Sequence, residues 1–172
     1  MQFRPELKRA KLIRRYKRFL ADVELDGELV TVHCPNTGSM KNCIVPGSDC
    51  WLSESDNPKR KYSYTWELAT THCGGIACIN TQRANQVIAE AIDDSRIPGL
   101  IDKHVAREVK REVPYAEKHR IDFWLNAAGR QTFIEVKSVT LSYGEGLGAF
   151  PDAVSKRASA HLQALMACVD QG

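Results

Sequence analysis

The chain has 172 residues, 43% of them hydrophobic, with 24 Lys and Arg against 21 Asp and Glu for a net charge of +3. That length holds one ordinary domain or two small ones, and the apolar content is enough for a packed core, which excludes a disordered tail. No apolar run reaches the length of a membrane span, and residues 1–18 carry charges where a signal peptide needs an apolar stretch, so a soluble, cytoplasmic protein without a membrane partner is expected.

Charge distribution says more than net charge. Arg4, Lys8, Arg9, Lys11, Arg14, Arg15, Lys17 and Arg18 are opposed only by Glu6 at the start of the chain, with Tyr16 and Phe19 interleaved. Such a mixture suits a phosphate backbone, with rings for stacking. Leu12, Ile13, Tyr16, Phe19, Leu20 and Val23 recur with helical spacing, yet Asp26-Gly27 lies between this run and a β-rich run over 28–33. A D-G pair in that place reads as a hairpin, which predicts strands on both sides. Pro35-Asn36-Thr37-Gly38-Ser39 reads as loop, and Pro46-Gly47-Ser48-Asp49 as a turn before Cys50-Trp51-Leu52. A second basic cluster, Lys59, Arg60 and Lys61, runs into Tyr62, Tyr64 and Trp66, and further strands are predicted over 62–68 and 75–80. Short strands with turns between them predict a small barrel or sandwich over residues 1–82.

Composition then changes, and 83–172 reads as a second domain. Ala84, Val87, Ile88, Ala91 and Ile92 form a helical stripe ended by Pro98-Gly99. Strands are predicted over 106–113, 119–125 and 131–139, then a glycine-rich loop through Gly144, Gly146, Gly148 and Asp152, then a helix over 153–167. A third basic cluster, Lys103, Arg107, Lys110, Arg111, Lys118 and Arg120, leads into the middle strand.

The last two strands carry the chemistry. A hairpin folded between Ala128 and Gly129 pairs residues whose numbers share one sum, so Asp122 faces Glu135 and Arg120 faces Lys137, while Ile121 meets Val136 and Phe123 meets Ile134. One side is apolar and the other charged. Opposed carboxylates repel unless a cation lies between them. A hard divalent ion such as Mg2+, held by one or two carboxylates and completed by water and phosphate oxygens, fits that arrangement, with Lys137 placed to orient water or neutralise charge on a phosphate. The same alternation also belongs to any half-exposed hairpin whose charges are simply solvated, and that is its commoner origin.

Other residues carry weaker signals. Cys34, Cys43, Cys50, Cys73, Cys78 and Cys168 contain no C-x-x-C pair, so buried or free thiols are expected rather than bridges or zinc. Trp51 and Trp66 would serve as stacking platforms in a barrel that binds a small sugar or nucleotide, although core packing is the commoner role of such residues. His33 and Ser39 lack the spacing of a catalytic set.

The chain resembles the sugar fermentation stimulation protein A (SfsA) family over nearly its whole length. The resemblance rests on the run from Arg14-Arg15-Tyr16-Lys17-Arg18 to Val23, on His33-Cys34-Pro35-Asn36-Thr37-Gly38-Ser39-Met40, and on Ser55-Asp56-Asn57 with Tyr64-Thr65-Trp66-Glu67-Leu68. It continues through Arg120-Ile121-Asp122-Phe123, Glu135-Val136-Lys137-Ser138-Val139-Thr140-Leu141 and Phe150-Pro151-Asp152-Ala153-Val154. It implies an α+β protein: an N-terminal OB-like β-barrel followed by a PD-(D/E)XK nuclease-like α/β domain, which is either truncated here at its C-terminal end or completed differently, because the family continues into further strands. It also implies non-specific DNA binding and a regulatory role in maltose or other sugar utilisation, with Mg2+-dependent DNA cleavage as the alternative. Under the nuclease pattern Asp122 is the first acid and Glu135-Val136-Lys137 the E-x-K element. Glu90 is either an added helix carboxylate or, more commonly for such a position, a solvent-facing acid. The family's Arg-Gly-x-Lys-His-Leu stretch departs here to Arg157-Ala158-Ser159-Ala160-His161-Leu162, so no role is carried onto that helix.

Overall fold

Alternation of small apolar side chains builds the first half of the molecule. In the computed structural model, which describes residues 1–100, 104–116 and 119–170, β1 (Lys8–Tyr16), β2 (Leu20–Leu25) and β3 (Glu28–His33) form an antiparallel meander. Ala10 and Leu12, then Ala21, Val23 and Leu25, then Val32 point inward at every second position. The helical spacing around Leu12 to Val23 is overridden by this period-2 burial. Asp26 and Gly27 close the β2–β3 turn with φ of 53° and 85°, the left-handed pair that a two-residue hairpin requires.

β4 (Asp49–Glu54) runs antiparallel to β1, and β5 (Tyr64–Thr70) antiparallel to β4. One parallel pairing, His33 with Thr65, joins β3 to β5 and closes five strands into a barrel. The OB-like expectation therefore holds. β6 (Ile76–Cys78) extends the sheet beside β5. The core holds Leu12, Val23, Val32, Met40, Cys50, Leu52, Trp66 and Ile79. Trp66 is fully buried and its indole N–H donates to the Leu68 carbonyl at 2.8 Å. That removes it as a stacking platform; Trp51 is half-buried on β4.

A buried ion pair sits in this unit. Glu67, 1% exposed, accepts from Arg83 through both oxygens (2.8 and 3.0 Å), from Ser53 at 2.7 Å and from Asn80 at 2.9 Å. Asn80 is also the N-cap of α1 (Thr81–Asp93), its side-chain oxygen accepting the Gln82 N–H at 3.2 Å. α1 ends at Asp93, ahead of Pro98-Gly99, because Ser95 turns left-handed at φ 54° and Arg107 donates to the carbonyls of Ile92 and Asp93.

Two compact units divide the chain: Met1–Ala84 with Ser138–Ala153, and Asn85–Lys137 with Val154–Gly172. In the second, β7 (Arg107–Ala116), β8 (His119–Ala127) and β9 (Arg130–Ile134) form an antiparallel sheet. Ile88, Ala89 and Ile92 of α1 pack against Phe123, Val109, Ile134 and Val136. The segment predicted as a glycine-rich loop instead contains a hairpin, β10 (Leu141–Gly144) with β11 (Leu147–Ala149), which belongs to the first unit. Its strands are too short and glycine-rich to show a period-2 pattern. Asp152 ties this segment down, accepting from Ser39 Oγ at 2.8 Å and from the Met40 N–H at 3.0 Å. α2 (Lys156–Asp170) follows, capped by Ser155 Oγ on the Ala158 N–H at 3.1 Å. Among the described residues, no helix is long and apolar enough to cross a membrane.

Candidate functional site

Ala128 and Gly129 take φ of 51° and 80°, so the β8–β9 turn is of the type two-residue hairpins use. The observed partners are Phe123 with Ile134, Trp124 with Phe133, Leu125 with Thr132, Asn126 with Gln131 and Ala127 with Arg130. This is the register expected from the sequence. The ladder is shorter than expected, however, and stops at Ile134 rather than running to Val139. Beyond it the Val136 N–H donates to Asp122 Oδ2 at 2.7 Å, a carboxylate taking the place of a backbone partner. The other Asp122 oxygen accepts from Asn85 of α1 at 3.0 Å. Asp122 is thus held beside the backbone between Glu135 and Lys137.

Glu135 is nearly enclosed. Its Oε1 is shared by the Lys137 ammonium and by His161 Nδ1 of α2, the latter at 2.9 Å. Its Oε2 is buried and has no hydrogen-bond partner among the described residues. A buried acceptor left unpaired costs stability on the order of 1–3 kcal/mol, so the arrangement suits a cation bound there. Among the described residues no cluster of three or more His, Cys, Asp or Glu is assembled for a metal. Asp122 and Glu135 would be the protein donors, which fits Mg2+ better than a metal that demands a full protein cage. His161 was not signalled by its spacing; only the His-Leu remnant of the departed helix motif points to it. Asn85 rather than Glu90 is the α1 residue seen on Asp122, and Glu90 is half-buried.

The basic residues fall into different settings. Lys17 and Arg18 form the tip of the β1–β2 loop, both exposed and both left-handed at φ 48° and 63°. Arg14 pairs with Asp22 at 2.8 Å and lies 5.0 Å from the Tyr16 ring. Arg15 organises the loops: its guanidinium donates to the carbonyls of Arg18, Asn36 and Gly38. Lys59, Arg60 and Lys61 are exposed on the β4–β5 loop, with Arg60 bonded to Thr65 Oγ1 at 3.1 Å. His33 connects the two loops, since it pairs with Leu20 on one side and Thr65 on the other. Burial and then repulsion from Arg60 lower the His33 pKa below its usual value. In the third cluster Arg107 caps α1, Lys110 pairs with Glu108 over Trp124, Arg111 covers Phe123 and Arg120 donates to the Glu112 carbonyl. Lys103 and Lys118 lie outside the described residues, as does the Arg157 side chain.

Residues 13–79 match the SfsA N-terminal OB domain, and residues 82–172 the sugar fermentation stimulation protein RE domain. The chain belongs to the SfsA family. Sugar fermentation stimulation protein homologs from Pseudomonas fluorescens and Teredinibacter turnerae are 51% and 54% identical to it across the whole chain, which covers 73% of each. A homolog from Saccharophagus degradans is likewise 54% identical. Among solved structures, Pyrococcus furiosus SfsA in complex with Ca2+ matches with a TM-score of 0.80 and 25% identity, over 96% of this chain and 68% of that one.

Proposed function

We propose that this SfsA-family chain is a cytoplasmic DNA-binding protein with a regulatory role in sugar utilisation, maltose included. The observation that carries the reading is the placement of Lys17 and Arg18 on one barrel loop and Lys59, Arg60 and Lys61 on another. These are the first-to-second and fourth-to-fifth strand loops, the pair through which OB folds hold oligonucleotides. Exposed ammonium and guanidinium groups there contact phosphates, so binding is largely indifferent to base sequence. Titrating a labelled duplex at increasing salt tests it. A steep linear fall of log affinity with log salt is expected, and affinity that stays flat rejects the reading. The sugar role follows the name carried by the relatives, and unaltered growth on maltose after gene deletion would remove it.

A second reading, a Mg2+-dependent DNA endonuclease, is favoured by the buried oxygen of Glu135 that has no partner among the described residues and by a relative described in complex with Ca2+. It extends to the second unit the PD-(D/E)XK assignment, with Asp122 and Glu135 as metal donors. A bound Mg2+ would supply Lewis-acid polarisation of a phosphate oxygen and a more acidic water. Lys137, fixed against Glu135, offers positive charge to the phosphate. Plasmid incubated with Mg2+ or Mn2+ should be cut by the wild type only, and nicking that persists in Asp122→Ala or Glu135→Ala rejects the site.

A further inference from the structure

We propose that His161 is a positioning residue that turns one oxygen of Glu135 toward a divalent cation; the proposal rests on the metal-binding reading above. The phase of α2 is the first observation. The helix buries Ala158 and His161 while leaving Leu162, Met166 and Val169 at 56%, 66% and 80% exposure. An imidazole thus occupies an inward position of the helix, beside Ala158. A buried imidazole is tolerated when it is hydrogen-bonded, and this one meets Glu135.

Geometry gives the role. With Nδ1 at 2.9 Å from Glu135 Oε1, the ring nitrogen must carry the proton and donate it. Lys137 approaches the same oxygen. Two donors on Oε1 fix the plane of the carboxylate and leave Oε2 buried without a partner among the described residues. Both side chains of the His161–Glu135 pair are 8% exposed, so water does not replace the His161 donor freely. Donors that hold a ligating carboxylate from behind set its orientation, and their loss weakens metal binding.

Mn2+ titration by calorimetry without DNA tests this on wild type, Glu135→Ala, His161→Asn, His161→Gln and His161→Ala, each checked for a cooperative melt. An Asn amide nitrogen takes the place of Nδ1, whereas a Gln amide reaches toward the far side of the ring. Asn is expected to keep wild-type affinity, while Gln and Ala lose about 10–100-fold. Should the Ala variant unfold, the Asn and Gln pair still decides. Equal affinity in Asn and Gln, or no change in any His161 variant while Glu135→Ala abolishes binding, overturns the His161 role alone. Absence of Mn2+ binding in the wild type, or binding indifferent to Glu135→Ala, overturns the metal reading and this role with it.

Discussion

Replacing Lys17, Arg18, Lys59 and Lys61 together by alanine should flatten the salt dependence of DNA binding without unfolding the barrel. All four side chains are on exposed loop residues, and none lies in the barrel core. Each phosphate contact contributes about 0.9 to the slope of log affinity against log salt, so losing four lowers the slope by about 3.6. Between 50 and 200 mM salt the wild type should therefore lose about 150-fold more affinity than the variant. Fluorescence anisotropy with a labelled duplex at four or five salt concentrations measures both slopes. Arg130, exposed at the β8–β9 turn, provides a control substitution expected to leave the slope unchanged. An unaltered slope in a quadruple variant that melts like wild type would refute assignment of these loops to phosphate.

Arg83→Ala leaves the buried Glu67 carboxylate without its cation and should cost about 3–5 kcal/mol in urea unfolding. Burial pushes the Glu67 pKa up, but the Arg83, Ser53 and Asn80 bonds together hold it below its usual 4.5. A depressed carboxylate contributes stability above the unfolded value and loses it as pH falls through the folded one, so wild-type stability should decline below pH 4.5. In Arg83→Ala burial prevails and lifts the Glu67 carboxyl above its unfolded value, so its contribution changes sign and the variant should regain stability as pH falls and Glu67 takes up its proton; identical pH profiles would contradict this. Arg18→Gly removes a left-handed side chain and should stabilise the fold by about 1 kcal/mol while weakening DNA binding, a pairing checked by melting and anisotropy on one sample. Cys73 and Cys78 are exposed, whereas burial raises the Cys43 and Cys50 thiols to about 11 and 12. A thiol reagent should therefore label Cys73 first in the native protein, Cys78 more slowly because burial raises its thiol too, and Cys43 and Cys50 only on unfolding, as mass spectrometry would report.

Strands whose sides differ were legible from the sequence; features set by one tertiary contact were not. Asp26-Gly27 correctly outweighed a helical spacing because the turn is local and its φ signs are fixed by residue type. The second hairpin was legible for the same reason, down to the pairing of Phe123 with Ile134. By contrast, β10 and β11 have only four and three residues, with glycines at the turn, and they are held through contacts to residues a hundred positions away, such as Asn42 on the Ser142 carbonyl. The end of α1 was misplaced because Arg107, distant in sequence, supplies the cap. His161 stayed hidden since a histidine in an Ala- and Leu-rich helix gives no sign of which way it points.

The exposure of Glu135 bears on the two origins of the alternating hairpin. A solvated charged face keeps its acids wet, each balanced by a neighbour in water, and surface pairs of that kind contribute little. Here the ladder ends one residue before Glu135, the Asp122 carboxylate captures the Val136 N–H, and the Glu135 side chain is left 8% exposed with two donors on one oxygen and, among the described residues, none on the other. Had β9 continued to Val139 in the same register, Val136 would have faced Ile121 and its N–H would have stayed within the ladder. Asp122→Asn separates these cases: the amide oxygen still accepts the Val136 N–H, so the fold should persist, while the carboxylate charge is gone. Unchanged Mn2+ affinity in that variant would mean that Asp122 serves only to end the strand.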